Sequence, residues 1–127
     1  MKVHSQTDVG LVRTLNEDAC RTGLLGENGA WAVVCDGMGG ANGGEIASET
    51  AVKSIEEQIL ASYEEDFKSE EMKLMLSTLI FHANSAVYDM AQENESLKGM
   101  GTTIVVAIVL DNVAHIAHAG DSRAYLL

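Results

Sequence analysis

Three acidic positions stand apart from the charges spread over the rest of the chain: the Glu17-Asp18 pair, Asp36 and Asp121. Asp36 lies in the stretch WAVVCDGMGGANGGE, Trp31 to Glu45, between an apolar run and five glycines. All three positions fall at the ends of β-favouring segments or at turns. Carboxylates held on rigid strand ends can converge on one hard cation, and oxygen donors without His or Cys favour Mg2+ or Mn2+ over Zn2+. Gly37, which lacks a Cβ, lets its own carbonyl approach such a cation closely. A plainer reading stands beside this one, because Asp and Asn also cap turns wherever a chain reverses.

These groups need strands to hold them. Ala30 to Cys35 is short, apolar and β-favouring and stops at Asp36-Gly37, which predicts a buried strand delivering one carboxylate at its C-terminal end. Lys2 to Val9 alternates loosely and predicts a first strand or hairpin arm that bends at Gly10. From Glu45 to Leu60, Ile46, Ala47, Thr50, Ala51, Ile55 and Ile59 share one face, predicting a helix. A second helix is predicted from an N-cap at Ser69 to about Asn94, since Met72, Met75, Leu76, Leu79, Ala83, Val87 and Met90 recur at spacings of three and four. Its methionines read as core. Thr102 to Leu110, Val113 to Ala117 and Ser122 to Leu127 then read as consecutive antiparallel strands, the first two joined by a tight Asp111-Asn112 turn. The order of strands, two helices and strands predicts a single α+β domain, with no repeat or linker dividing it.

Bulk properties narrow the partners. With 127 residues, 46% of them hydrophobic, the chain can bury one small core. Eight basic against 19 acidic residues give a formal charge of −11, and no basic cluster interrupts it, which argues against nucleic acid or an anionic membrane surface as a partner. The longest apolar run, Ile104 to Leu110, is far short of a membrane span, and Met1-Lys2-Val3-His4 does not open a signal peptide, so a cytoplasmic protein is expected. Cys20 and Cys35 are too few for a disulfide framework and read as reduced, structural thiols.

Other chemistries fail on their spacing. In Gly37-Met38-Gly39-Gly40-Ala41-Asn42 the third glycine of a dinucleotide fingerprint is replaced by Asn42, and no Gly-Lys-Ser/Thr follows for a phosphate loop. A serine-nucleophile elbow and a His-Glu-x-x-His helix are both missing, and His4, His82, His115 and His118 lack ligand spacing.

Four segments together carry a family resemblance. GLVRTLNEDA (Gly10 to Ala19), VVCDGMGG (Val33 to Gly40), GMGTTIVVAIV (Gly99 to Val109) and HAGDSRAYLL (His118 to Leu127) resemble, in order, four motifs of the metal-dependent type 2C Ser/Thr protein phosphatases, most closely the bacterial branch. The resemblance implies a partial type 2C fold, with antiparallel β-sandwich strands flanked by two long antiparallel helices. It implies that Asp36 bridges two Mn2+ or Mg2+ ions, that Gly37 lends its carbonyl to one of them, and that Glu17 supports that ion's shell, partly through water. Asp18 then stands behind the ligands, Asp121 resembles the ligand of a third, weaker metal, and Arg13 resembles the arginine that clamps the substrate phosphate. A planar guanidinium suits that task because it donates two parallel hydrogen bonds to phosphate oxygens. The implied reaction is hydrolysis of phosphoserine or phosphothreonine in proteins, opposed by a cognate Ser/Thr kinase. Met38 stands where eukaryotic members carry a histidine proposed as general acid, and a thioether cannot donate that proton.

The family's Ser-Asp-Gly and Asp-Asn motifs that follow the Gly-Asp-Ser-Arg segment, and that bring further aspartates to the metals, are not among the 127 residues; Asp111-Asn112 precedes that segment and reads as a turn. Residues 1–127 are therefore expected to form a single incomplete phosphatase domain, its N-terminal half, inactive or weakly active by itself and with weak metal affinity. An unpaired strand edge near Ala124 to Leu127 is expected to promote self-association. The alternative is a non-catalytic binding or regulatory module that keeps the phosphatase half-fold.

Overall fold

The apolar run around Val33 becomes the centre of a sheet because it can be paired on both edges and covered on one face. A computed structural model describes all residues, 1–127. Its elements are β1 (Asp18–Leu25), β2 (Gly29–Met38), α1 (Gly43–Ser62), α2 (Ser69–Glu93), β3 (Gly101–Thr102), β4 (Ile104–Leu110) and β5 (Val113–Ala119), with a short 3-10 turn at Glu95–Leu97. The sheet order is β1-β2-β4-β5, with β3 also paired to β2, and every pairing is antiparallel.

Period-two alternation decides the faces of β2. Trp31, Val33 and Cys35 are buried, while Val34, Asp36 and Met38 are exposed. The buried side meets the helices, where Val33, Cys35, Val106 and Ile108 share one core with Val52, Ile55, Ile59, Met72 and Leu79. Each large aliphatic side chain buried there contributes roughly 2 kcal/mol. Met72 and Met75 lie in this core, as their spacing predicts. Burial also pushes the Cys35 thiol up to about 12, and neither cysteine is in a disulfide. No helix is long and apolar enough to cross a membrane.

Several predicted boundaries change. β2 runs through Asp36 to Met38, because β3 continues to pair with Gly37 and Met38. Helix α1 starts two residues early, at Gly43. Helix α2 is capped at Lys68, with Ser69 its first helical residue, since the Lys68 backbone N–H donates to Glu71 Oε2 at 2.7 Å. The Asp111-Asn112 turn forms with φ values of 47° and 66°, the left-handed pair a two-residue hairpin demands.

Two predicted strands do not form. Lys2 to Val9 has no regular structure, and Val3 and Val9, its only aliphatic residues, are exposed. Two such residues offer no continuous face to bury. Ser122 to Leu127 is likewise outside the sheet, with Tyr125, Leu126 and Leu127 exposed. Its β-favouring composition finds no partner strand, and composition without pairing leaves the backbone unsatisfied in a sheet. These residues thus build a single sheet layer carrying a helix hairpin on one face.

Candidate metal and phosphate site

Strand register brings the first two carboxylates together. The Gly37 N–H donates to the Glu17 carbonyl at 3.0 Å, which makes Glu17 and Gly37 a hydrogen-bonded pair and leaves Asp18 opposite Asp36 as the intervening non-bonded pair. Residues in such a pair approach more closely, with Cα atoms about 4.5 Å apart. Both aspartates are exposed, on the sheet face away from the helices. The Asp18 carboxyl is raised above its ordinary value, first by partial burial and then by the charge and hydrogen bond of Asp36 and the charge of Glu17.

Glycine shapes the next layer. A Cβ on Gly37 would strike the carbonyl of Gly44 in the first turn of α1, and one on Gly44 would strike the Glu17 carboxylate. The helix start therefore presses directly against β2 and against Glu17. The Glu17 carboxylate is thereby held beside Gly44 in the first turn of that helix.

Arg13, Glu17, Asp18, Asp36, Gly37 and Met38 line one open, polar cavity of about 450 Å³. Arg13 is exposed and makes no ion pair; the ion pairs in the structure are Arg21–Glu49 at 3.1 Å and Lys73–Glu70 at 3.3 Å. The guanidinium is thus free to receive an anion instead of being tied to Glu17. Asp8, which sequence reasoning passed over, also lines the cavity, and its Oδ1 accepts the Gly10 N–H at 2.7 Å. Asn16 braces the same loop, accepting the Asp18 N–H at 3.0 Å and donating to Thr7 Oγ1 at 2.9 Å. An Asx turn at Asp8-Val9-Gly10 was the signal available for Asp8, although only folding places it beside Asp36.

Asp121 is not among the residues that line this cavity. It follows Gly120 at the end of β5, and it is exposed. The donor set around Asp36 is entirely oxygen, which suits a hard divalent cation. The count is short, however, because no three acidic, His or Cys side chains come together as a ligand set. The fit to a metal is one of donor type, carried by part of a coordination shell.

The architecture recurs in solved phosphatases. Over 93% of its length the chain superimposes on Staphylococcus aureus serine/threonine phosphatase Stp1, with a TM-score of 0.83 and 37% identity, covering 46% of that chain. The catalytic domain of PstP, solved in complex with two manganese ions, gives a TM-score of 0.73 at 31% identity, with 93% and 47% covered. In sequence, all of the chain matches half of the Listeria monocytogenes serine/threonine phosphatase stp, at 35% identity. It also matches 23% of Mycobacterium tuberculosis PstP, at 32% identity. The Protein phosphatase 2C family model matches residues 12–127, and the chain belongs to that family. It spans half or less of the length of these relatives.

Proposed function

We propose that residues 1–127 supply the N-terminal share of a metal-dependent phosphoserine/phosphothreonine protein phosphatase site, and that turnover requires metal ligands beyond those gathered here. The observation that carries this reading is the meeting of an unpaired Arg13 with Glu17, Asp18, Asp36 and Gly37 around one cavity in a type 2C fold. Asp36 and the Gly37 carbonyl would hold Mn2+ or Mg2+, with Glu17 supporting the shell, Asp18 behind it and Asp121 at a further, weaker metal position. The two manganese ions in the PstP complex support this choice of cofactor. When bound, such cations polarise a phosphoryl group and supply a nucleophile from water at neutral pH. Arg13 binds and orients the phosphate through its paired N–H donors. Met38, exposed on the cavity wall, adds no proton donor. The reading implies phosphorylated proteins as substrates, an opposing Ser/Thr kinase and a cytoplasmic setting.

The test is a titration of the chain with Mn2+ followed by a phosphopeptide. Weak Mn2+ uptake, phosphopeptide binding that Arg13→Ala weakens about tenfold, and little or no turnover are expected. Manganese-dependent hydrolysis at ordinary phosphatase rates by this chain alone would overturn the partial-site reading. The short ligand count favours a second reading, a binding module without catalysis. Phosphopeptide binding indifferent to both Mn2+ and Arg13 would select it.

A further inference from the structure

Between β3 and β4 the ladder opposite β2 changes its chemistry at a single residue. The pairings on either side keep one register, Gly37 with Thr102 and Val34 with Val105, which places Thr103 opposite Asp36. The Thr103 N–H donates to the Asp36 carbonyl at 2.9 Å, as a ladder requires. The return bond differs, since the Asp36 N–H donates to the Thr103 hydroxyl, Oγ1, at 3.0 Å. The Thr103 carbonyl accepts instead from the Thr102 hydroxyl at 2.9 Å. A side chain has taken the place of a backbone acceptor at the residue across from Asp36.

That hydroxyl has a second partner. Thr103 Oγ1 and Ser122 Oγ lie 2.5 Å apart, and either can donate. One register step beyond the Ile104–Ala119 pair, Gly120 lies against Thr103, where a Cβ would come within 2.8 Å of Thr103 Cγ2. Gly120 has φ +102°, so the turn carrying Asp121 and Ser122 depends on glycine twice, for its dihedral and for its closeness to Thr103. The contacts run in one line from Asp36, through Thr103, to the residue beside Asp121.

We propose that Thr103 and Ser122 are positioning residues, a two-hydroxyl strut that fixes the Asp36 backbone and holds the Asp121 turn at a set distance from it. A backbone carbonyl accepting from the Asp36 N–H would complete the ladder equally well, but it would leave the Ser122 hydroxyl without its tie to Asp36. Using a hydroxyl gives one atom two partners, the Asp36 N–H on one side and, on the other, the residue that follows Asp121. The consequence for a cation rests on the metal reading above, whereas the consequence for the backbone does not.

The experiment measures both on the 127-residue chain, by amide hydrogen exchange resolved by NMR and by calorimetric Mn2+ titration. In Thr103→Val, which keeps the shape and removes the hydroxyl, exchange at the Asp36 amide is expected to rise about tenfold over its β2 neighbours, and Mn2+ affinity to fall about tenfold. Thr103→Ser restores the hydroxyl and should stay within about twofold of the parent. Ser122→Ala should shift both readouts in the same direction by less, and the double variant with Thr103→Val should add little to Thr103→Val alone. Unchanged Asp36 exchange in Thr103→Val, or a rise spread evenly along β2, would overturn the strut. If the parent takes up no Mn2+, the metal reading fails and Asp36 exchange decides the strut by itself. Should Thr103→Val not fold, Ser122→Ala decides it by the same criterion.

Discussion

Asp18 and Asp36 face each other across the narrow kind of antiparallel pair, where like charges destabilise a sheet by an amount on the order of 0.2–1 kcal/mol. The upward shift at Asp18 means that the folded chain binds that proton more tightly than the unfolded chain does. The associated stability is therefore fully present below the ordinary value of 3.8 and is lost as pH rises through the higher folded value. Asp18→Asn removes the repulsion at neutral pH, so it should stabilise the chain by a few tenths of a kcal/mol there. The gain should vanish below pH 3.8. Urea unfolding at two pH values checks this, and a variant less stable than the parent at neutral pH would show that the pair is not in net repulsion. At this scale the position of Asp36 near the end of a strand was legible, because the apolar run stops there at glycine. Thr103 was not: its hydroxyl acquires a role only when register sets it against Asp36, and nothing in the run GTTIVV marks one threonine from the other.

Among the elements, the junction of β2 with α1 is held by the absence of two methyl groups. A Cβ at Gly37 meets the Gly44 carbonyl and one at Gly44 meets the Glu17 carboxylate, so neither can be added without moving the helix or the acid. Gly44→Ala is expected to cost about 1–3 kcal/mol, as overpacking generally does, and to displace Glu17 from the helix N-terminus. Chemical denaturation gives the first quantity, and a loss of Mn2+ uptake larger than the stability loss explains would report the second. A Gly44→Ala variant as stable as the parent would show that α1 can recede freely. Sequence reasoning assigned Gly37 to close approach by a cation, whereas the contact visible in the fold is with a helix, which no local pattern contains. The helices themselves were legible from their apolar spacing. The terminal strands were misread because alternation can suggest a strand but only a neighbour can complete one, and Lys2 to Val9 and Ser122 to Leu127 have none here.

At the scale of the whole molecule, the helices cover one face of the sheet and leave the other open. Pairing lines up Cys20, Val34, Val105 and His118 across that open face, with Ala32, Ala107 and Ile116 in the next row. Val34 and Ile116 are each about half exposed. An unpaired strand edge was expected near Ala124 to Leu127; the unpaired edges of the sheet are instead the outer sides of β1 and β5. Concentration-dependent association is expected in sedimentation equilibrium, and Ile116→Lys, at an exposed position, should shift it towards monomer. A single monomeric species at all concentrations would count against this.

The hairpin turn at Asp111-Asn112 has a use unrelated to catalysis. It closes the end of the sheet where Gly29 pairs with Leu110, seven residues along β2 from Asp36, or roughly 23 Å at about 3.3 Å per residue. The turn therefore lies at the opposite end of β2 from Asp36, where Asp111 lines a separate cavity with Glu27, Glu65 and Asp66. A reporter peptide spliced between Asp111 and Asn112 should leave the spectroscopic and binding behaviour of the chain intact, which makes this turn the natural attachment point for following the molecule by label.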